Sequence, residues 1–348
     1  MTQQAEAEAI DINAVLARVI EREGLSSAEM AAVVGQFIDG AATPAQIGAF
    51  LTAMRMKGES VDEVVGAAQA MRQRMLRVDF SAPVVLDTCG TGGDGSGSVN
   101  ISTLAAFVIA ACGVPVAKHG NRALSSRSGS HDVIEALGID PAPNAETAGL
   151  CLREVGLAFL FAPVYHAATK NVAIPRRELG FRTLFNLLGP LTNPGGARFH
   201  LNGVYAADRL EMVARAHAAL GATRAMVVHG AGGLDEIAVH GPTEVAELRD
   251  GVVTRMTITP AMFGLPEADA AGLRGGEPAE NARLLQAALD GVPGSIRIAG
   301  LLSAAAGLYV AGKASSLEEG ARLAATAIDS GAARNILLRL QMLTPRAT

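Results

Sequence analysis

A glycine-rich run between an apolar strand and a helix is the part of the sequence best suited to hold a ligand. Five of the eight residues from Gly90 to Gly97 are glycine, and they follow a strand-like segment, Val84–Asp87. Glycine lets the backbone approach a ligand closely and turn its N–H groups toward it. A predicted helix starts near Asn100, and its N-terminus adds a favourable dipole for an anion. The run therefore predicts a phosphate-binding loop.

The residues after this loop carry an unusual balance of charge. The chain has a net charge of −5, yet no Asp or Glu lies between Gly95 and His131. The same span contains Lys118, His119, Arg122, Arg127 and His131. Lys118–Arg122 comes directly after a second predicted strand, at the edge where open α/β sheets bind ligands. A heavily phosphorylated ligand is expected there.

The loop also fits a weaker pattern, the G-x-G-x-x-G fingerprint of dinucleotide-binding folds, at Gly90–Gly95. That fingerprint expects an acidic residue about 20 positions later to hold the ribose of NAD. The first acid after the loop is Asp132. Asp94, inside the loop, would repel a bare pyrophosphate and suits a ribose hydroxyl or a metal ion better. NADP, with Arg122 as its phosphate partner, stays open on charge alone, and a nicotinamide-dependent oxidoreductase is the weakest alternative.

An adjacent pair of acids, Asp235 and Glu236, follows another predicted strand, in a glycine-bordered loop. Mg²⁺ is commonly held by one or two carboxylates, with waters and substrate phosphates completing its shell. A solvated acidic turn would show the same pair. The phosphate loop favours the metal interpretation, because a pyrophosphate ligand usually needs a cation to neutralise it.

Two adjacent arginines, Arg176 and Arg177, stand beside Glu178 in a segment that is predicted to open a helix. The fork of an arginine is the best reader of a substrate carboxylate. Such a group is also common as a surface array of ion pairs. The spacing leaves both interpretations open, and His166 is interpreted as structural.

The elements that would position these residues fall into two domains. The first eighty residues are helical, with capping boxes at Ser26/Glu29, Thr43/Gln46 and Ser60/Glu63. A second amphipathic helical stretch, residues 172–195, is expected to pack back onto them. We therefore predict a helical domain of residues 1–80 with about 172–195, and an α/β domain of residues 81–171 and 196–348.

The α/β domain is predicted from short apolar runs that alternate with helical stretches, which indicates a mostly parallel sheet flanked by helices. The predicted strands are Val84–Leu86, Val114–Ala117, Leu157–Phe161 and Met226–Val228. The predicted helices are Leu104–Cys112, Asn144–Val155, Ala207–Leu220 and the chain from Ser295 on, with a capping box at Ser315/Glu318. Glu244–Leu248 and Val252–Ile258 flank Asp250-Gly251, which predicts a hairpin.

Composition excludes several classes of protein. Apolar residues make up 49% of the chain and charged residues 18%, which is typical of a globular protein. The negative net charge argues against binding nucleic acid or a membrane surface, and the apolar runs are shorter than the roughly 18 residues of a membrane helix. Cys89, Cys112 and Cys151 lack metal-ligand spacing and are expected to be buried thiols. No signal sequence opens the chain, so a cytoplasmic protein is expected.

Seven motifs occur along the chain in an order shared with one known family. They are Gly90–Asp94, Asn100–Thr103, Lys118–Arg122, Ser128–Ser130, Arg177–Gly180, Asn186–Pro194 and Asp235–Glu236. Through them the chain resembles the anthranilate phosphoribosyltransferases, the enzymes of tryptophan biosynthesis that transfer the phosphoribosyl group of phosphoribosyl pyrophosphate (PRPP) to anthranilate and release pyrophosphate.

The resemblance implies a helical domain and an α/β domain with a cleft between them, a homodimer joined through the helical domains, and Mg²⁺, with about two ions per monomer. PRPP would be held by Gly90, Gly93, Asp94, Ser98, Asn100, Ile101, Ser102, Thr103, Lys118, His119, Gly120, Asn121, Arg122, Ala123, Leu124, Ser125, Ser126 and Ser130. Mg²⁺ would be held by Ser102, Asp235 and Glu236. Anthranilate would be held by Gly90, Asn121 and Arg176, with Gly189 and Pro190 in its channel. Lys118, Arg122 and Arg176 are the expected catalytic residues.

Three positions depart from the family pattern. Proline stands at Pro175 rather than one place earlier, Lys170 replaces an arginine, and His131 replaces a small residue. Two other functions remain as alternatives. Pyrimidine nucleoside phosphorylases share the fold, but their loop carries a Lys-Thr-Ser lead that this chain lacks. A catalytically silent paralogue that binds nucleic acid would need a broad basic face, which the net charge opposes.

Overall fold

The computed structural model describes residues 10–122 and 127–346 of the 348-residue chain. The α-helices are α1 Ile12–Ile20, α2 Ser27–Asp39, α3 Pro44–Lys57, α4 Val61–Arg74, α5 Ile101–Ala111, α6 Ser130–Ala136, α7 Ala145–Glu154, α8 Ala162–Tyr165, α9 Lys170–Leu179, α10 Phe185–Leu188, α11 Leu210–Ala219, α12 Pro278–Leu289, α13 Ser295–Val310, α14 Leu317–Asp329 and α15 Ala332–Leu343. The strands are β1 Leu86–Asp87, β2 Val116–Gly120, β3 Leu157–Phe161, β4 Phe199–Gly203, β5 Arg224–Gly230, β6 Thr243–Arg249 and β7 Val252–Ile258.

These elements form two compact units. The helical unit contains the described residues up to Met75 together with His166–Leu188. The α/β unit contains Leu76–Tyr165 and the described residues from Gly189 on. The chain thus joins and leaves the helical unit a few residues earlier than the predicted stretch 172–195. Among the described residues, no helix combines the length and apolar character needed to cross a membrane.

The starts of the helices in the helical unit follow the predicted capping boxes. The side chains of Ser26, Thr43 and Ser60 each accept a hydrogen bond from the backbone three residues on, and the acid or amide at that position bonds back. These boxes satisfy N–H groups that the first turn of a helix leaves unpaired. Helix α2 packs on α4, and α3 packs on both α1 and α9.

The segment around the paired arginines differs from its prediction. Pro175–Leu179 forms the second half of α9, with Pro175 inside the helix, and Gly180 ends it in the left-handed conformation at φ 68°. The prediction used proline as a helix-start signal, whereas α9 already begins at Lys170. Arg176 therefore lies near the end of a helix and not at its beginning.

The α/β unit is built on a seven-stranded sheet with the order β3-β2-β1-β4-β5-β6-β7. The first five strands in this order, β3, β2, β1, β4 and β5, are parallel. Strands β6 and β7 add an antiparallel hairpin, as the Asp250-Gly251 turn predicts. Helix α5 is covered by α13 and α15. The predicted fold class, a helical domain with a mostly parallel α/β domain, is confirmed.

Three details of the α/β unit correct the predictions. Strand β4 was not predicted, because His200 and Asn202 interrupt its apolar pattern, although both side chains are fully buried. The capping box at Ser315/Glu318 is displaced by one residue, since Ser316 caps α14 by accepting a hydrogen bond from the Glu319 N–H. Helix α12 was also not predicted.

The strand order reverses its direction at one position of the sheet, between β1 and β4. The chain moves from β1 to β2 and β3 on one side and then returns to place β4 on the other side of β1. The loops that leave the carboxyl ends of β1 and β4 therefore diverge, and such a switch point is where open α/β sheets bind ligands. The glycine-rich loop follows β1 at this position.

A buried ion pair stabilises the helical unit. Glu63 is fully buried, and its carboxylate accepts hydrogen bonds from the Leu25 and Ser60 N–H groups at 2.9 Å and 2.8 Å. It also pairs with Lys57 Nζ at 2.9 Å. The carboxylate thus connects three segments of the unit through one buried charge.

We expect Glu63→Ala to lower the free energy of unfolding by about 3 kcal/mol, because it leaves the Lys57 ammonium and two N–H groups buried without their partner. Urea denaturation followed by circular dichroism measures the change. Glu29→Ala is the control, because this capping-box acid is partly exposed and its loss should cost only about 1 kcal/mol. Equal losses for the two variants would contradict the role given to Glu63.

Candidate active site

The glycine-rich loop takes a backbone path that only glycine adopts easily. Gly92, Gly93, Gly95 and Gly97 have φ values of 65°, 74°, 77° and 64°, in the left-handed region that disfavours side chains. The start of the loop is fixed to β4, because Thr91 N donates to Gly203 O at 2.9 Å. The loop is therefore anchored at its start, and its left-handed glycines give it a backbone path that suits a phosphate ligand.

Lys118 is a buried cation that joins the elements on either side of this loop. Its Nζ donates to Thr88 O at 3.0 Å and to Ser102 Oγ at 3.1 Å. It thereby connects the end of β1 to the first turn of α5. Asp87, fully buried on β1, accepts from the His119 N–H at 3.1 Å. Burial raises the pKa of Asp87 to about 6, and the charge of Lys118 opposes that rise.

The acid pair lies against the same turn of α5. Glu236 Oε1 accepts from Ser102 N at 3.0 Å, and Asp235 N donates to Asp94 Oδ2 at 3.3 Å. Burial, then the negative charges of Asp94 and Glu236, raise the pKa of Asp235 to about 8. Burial raises the pKa of Glu236 to about 7, and Lys118 and Ser102 oppose that rise. The site therefore holds more buried carboxyl groups than its single lysine can neutralise.

Three glycines let the acid pair come this close to the sheet. A Cβ on Gly203 would lie 1.5 Å from Asp235 O, and one on Gly230 would lie 2.5 Å from Glu236 O. A Cβ on Gly90 would approach Asp235 Oδ2 to 3.2 Å. Since real Cβ atoms do not tolerate the two shorter distances, Gly203 and Gly230 are required by packing and not by a turn.

The oxygen ligands at this site suit Mg²⁺. Asp235, Glu236 and Ser102 offer carboxylate and hydroxyl oxygens, and the raised carboxyl pKa values indicate a need for positive charge. Within the described ranges, no group of three or more His, Cys, Asp or Glu side chains is arranged to hold a metal on its own. The residues therefore fit an ion whose shell is completed by substrate phosphates and water.

Several predicted PRPP residues lie beside this centre. Ser98 forms an isolated bridge with Arg274, and its hydroxyl accepts from Ser96 Oγ at 3.1 Å. Gly120 ends β2, and a Cβ there would lie 2.4 Å from Ser130 Oγ. Asn121 follows, and its backbone carbonyl accepts from Ser130 Oγ at 3.3 Å. Ala123, Leu124, Ser125 and Ser126 lie outside the described residues. Assignment of the whole set as ligands stays a prediction.

Other predicted PRPP residues have side chains that are buried or already paired with protein groups. Ile101 and Thr103 are buried in α5, and the buried His119 ring bonds to Gly189 O at 2.9 Å. Arg122 is half exposed and pairs with Asp132 and Glu135 of α6 at 2.8 Å and 3.0 Å. The basic stretch predicted from the sequence is thus partly neutralised by acids that lie just beyond it.

His131, one of the departures from the family pattern, is fully buried. Its ring lies 4.8 Å from that of Phe161, centroid to centroid. Burial, with the nearby charge of Lys118, lowers the pKa of His131 to about 3. The imidazole is therefore neutral near pH 7 and adds no charge to the basic stretch.

Arg176 belongs to the helical unit. Its guanidinium carbon lies 5.2 Å from the centroid of the Phe185 ring, a distance at which a cation is attracted to an aromatic face. Burial lowers its pKa, although an arginine stays charged near neutral pH. Arg177, by contrast, is exposed.

Sequence reasoning missed the support that β4 and α11 give to the loop. Asn202 Nδ2 donates to Cys89 O at 2.6 Å, and Asn202 Oδ1 lies 2.5 Å from His217 Nε2. Both side chains are fully buried. Two polar residues at alternate positions of β4, His200 and Asn202, were the available signal, because a buried strand rarely carries them without a purpose.

A mostly parallel sheet with a glycine loop, a buried lysine and an acid pair at its switch point is the arrangement expected of an enzyme that binds a phosphorylated ligand. The model of the glycosyl transferase family, a/b domain, matches residues 82–334, and that of the helical bundle domain of the same family matches residues 13–75. The chain therefore belongs to this glycosyl transferase family.

Within the family, the similarity is to anthranilate phosphoribosyltransferases. That of Anaeromyxobacter sp. (strain K) is 56% identical over 329 residues, 94% of this chain and 97% of its own. The crystal structure of the Thermus thermophilus enzyme has a TM-score of 0.90 and 43% identity, covering 96% of this chain and 99% of that one. The Saccharomyces cerevisiae enzyme in complex with PRPP and Mg has a TM-score of 0.84 and 29% identity, covering 95% and 98%. The predicted resemblance is confirmed.

The raised carboxyl pKa values make a prediction about pH. Folded Asp235 and Glu236 keep protons that the unfolded chain releases at lower pH, so the metal-free protein should lose stability as pH rises from about 4 to about 8. Asp235→Asn should remove part of this loss and raise Tm at pH 8 by on the order of 5 °C. Thermal scans in chelator between pH 5 and pH 8 measure it.

Asp250→Asn, in the exposed turn between β6 and β7, is the control and should keep the wild-type dependence of Tm on pH. If Asp235→Asn also kept it, the Asp235 carboxyl would titrate normally in the folded protein.

Proposed function

We propose that this chain transfers the phosphoribosyl group of PRPP to the amine of anthranilate, with Mg²⁺, giving N-(5-phosphoribosyl)anthranilate and pyrophosphate. The observation that carries the proposal is the position of the Lys118 ammonium between Thr88 O and Ser102 Oγ. Ser102 also binds Glu236 through its N–H at 3.0 Å. One residue of α5 thus connects the cation of the site to its acid pair, beside a glycine loop suited to phosphate.

The donor would be held by the residues that surround this connection. Loop N–H groups from Gly90 to Ser98 and the N-terminus of α5 would bind phosphate oxygens. Asp94 would face a ribose hydroxyl or the metal. Asp235, Glu236 and Ser102 would hold Mg²⁺, two ions being the number that the family resemblance implies. The Saccharomyces cerevisiae relative in complex with PRPP and Mg supports PRPP and Mg²⁺ as the ligands of this site.

The chemistry asks mainly for stabilisation of a leaving group. As the bond from ribose C1 to pyrophosphate opens, negative charge builds on the pyrophosphate and the ring becomes cationic. Lys118, Arg122 and the loop N–H groups would stabilise the departing charge, which is the kind of electrostatic catalysis that usually contributes most. Bound Mg²⁺ would supply further neutralisation of the pyrophosphate. The anthranilate amine is already neutral near pH 7, so a strong general base is not needed.

Anthranilate would be positioned by Arg176, Asn121 and Gly90. Arg176 offers a planar fork for the carboxylate, and its stacking on Phe185 orients that fork. Asn121 is exposed directly after β2 and offers amide donors. Positioning of the amine toward ribose C1 should contribute more than proton transfer does.

We also propose a homodimer joined through the helical unit. Ile20, Met56 and Ile174 are more than half exposed, and they lie on α1, α3 and α9, which pack side by side. Exposed large apolar side chains on neighbouring helices are typical of an interface. A cytoplasmic location is part of the proposal, and the three free thiols, Cys89, Cys112 and Cys151, suit a reducing compartment.

The test is loss of anthranilate fluorescence when the protein is mixed with anthranilate, PRPP and MgCl₂. Turnover that requires all three components supports the proposal. Phosphorolysis of thymidine without use of anthranilate would replace it with a nucleoside phosphorylase. Salt-sensitive binding of single-stranded DNA without turnover would favour the silent paralogue.

Arg176→Ala should raise the KM for anthranilate by about 10- to 100-fold, because a charged hydrogen-bond partner of the carboxylate is lost. The KM for PRPP should stay within about twofold. Arg177→Ala is the matched control, since it removes the exposed neighbour on the same helix and should change neither constant. Unchanged anthranilate kinetics in Arg176→Ala would take this residue out of the site.

Met56→Glu combined with Ile174→Glu should halve the mass of the protein in solution, because two charges on the proposed interface cannot be buried without partners. Light scattering after gel filtration measures the mass. Met342→Glu is the control, since Met342 is as exposed as Met56 but lies on α15 of the α/β unit. A dimer that persists in the double variant would place the interface elsewhere.

A further inference from the structure

The residue that starts α5 does not use its side chain as expected. Asn100 stands at the N-cap position, where an asparagine usually accepts a hydrogen bond from the second or third N–H of the helix. Within the described residues, the Asn100 side chain makes no such bond. Its Oδ1 accepts from Asn281 Nδ2 at 3.1 Å, and its Nδ2 donates to Ser128 O at 3.2 Å. Both ends of the amide are therefore engaged outside the helix.

Asn281 is built to hold this arrangement. It lies in α12 and is almost fully buried, at 1% exposure. Its Oδ1 accepts from Gly276 N at 2.8 Å while its Nδ2 faces Asn100. Because the N–H of Gly276 fixes the oxygen end of the amide, the NH₂ end must point to Asn100. The pair joins residues that are 181 positions apart in the chain.

The segment before α12 adds a second connection to the phosphate loop. Val99 N donates to Leu273 O at 2.8 Å, and Gly275 N donates to Gly97 O at 2.9 Å. A Cβ on Gly275 would lie 2.9 Å from Asn281 Oδ1 and 3.0 Å from Val99 N. Gly275 is thus required for the close approach, and the end of the glycine loop is held both along its backbone and through Asn100.

We infer that Asn281 is a positioning residue for PRPP, which acts by keeping Asn100 from capping α5. The Ile101 and Ser102 N–H groups of the first turn already donate to Val99 O and Glu236 Oε1. With Oδ1 of Asn100 held by Asn281, the Thr103 N–H, the third of the helix, is left for the donor instead of the Asn100 side chain. The bond from Asn100 Nδ2 to Ser128 O also holds the segment before Ser130 against the same turn. Asn281 itself touches no substrate. This inference rests on the proposed function.

Asn281→Ala frees Asn100 Oδ1 to cap α5 and so to compete with a phosphate oxygen. The KM for PRPP and its Kd by calorimetry in MgCl₂ rise about tenfold, the effect of about one hydrogen bond. The KM for anthranilate and kcat stay within about twofold. Asn281→Asp keeps the acceptor for Gly276 N but has no donor for Asn100, and it weakens PRPP binding at least as much.

Two controls separate this role from a general loss of structure. Asn144→Ala removes the N-cap of α7 in the same unit; it lowers Tm but leaves the KM for PRPP unchanged. In the Asn100→Ala background, Asn281→Ala adds less than about twofold to the KM for PRPP, because its target is gone.

The outcomes are distinct from those that test the activity. A wild-type protein that consumes no anthranilate overturns the proposed function. A wild-type protein that turns over while both Asn281 variants keep its PRPP constants overturns the role of Asn281. If Asn281→Ala raises the KM for PRPP equally with and without the Asn100 side chain, that result also overturns the role, since Asn281 would then act by another route.

Discussion

The burial of one ammonium group among carboxyl groups is the constraint on which the rest of the site depends. Lys118 is 3% exposed and is held by Thr88 O and Ser102 Oγ. Its charge lowers the pKa of both Asp87 and Glu236. One lysine cannot neutralise these two carboxyl groups together with Asp94 and Asp235. A buried charge without a partner is costly, so burial raises the pKa of Asp235 and of Glu236 in the free site. A metal ion bound with a diphosphate would remove that imbalance of charge, because the ion would neutralise the carboxylates and the phosphates would pair with the lysine.

Such a site can exist only where the backbone allows close approach. The acid pair reaches the sheet because Gly203 and Gly230 have no Cβ to meet Asp235 O and Glu236 O. The glycine loop reaches its path through four residues with positive φ. These two uses of glycine differ: the loop needs freedom of backbone torsion, whereas the two strand ends need empty volume. A substitution at either kind of position would disturb the acid pair or the phosphate loop without touching a charged group.

The sequence was informative where a local rule decides the structure and less so where tertiary contacts do. The capping boxes at Ser26, Thr43 and Ser60, the β6–β7 hairpin and strand β3 follow from neighbouring residues alone. The apolar pattern does not predict strand β4, because His200 and Asn202 are polar and their burial depends on partners far along the chain. The motifs indicated Lys118, Asp235 and Glu236, but not Asn202, Gly203 or Asn281, whose value lies in contacts with residues more than about ten positions away.

Polar side chains behind the site show why those distant residues matter. Asn202 fixes Cys89 O from β4, and Asn281 fixes Asn100 from α12, so the two ends of the phosphate loop are held by amides from two different elements of the α/β unit. An amide fixes a direction as well as a distance, because it carries a donor and an acceptor at set angles. In a site whose chemistry depends on preorganised dipoles, that directional control lets backbone N–H groups keep facing the ligand position when no ligand is bound.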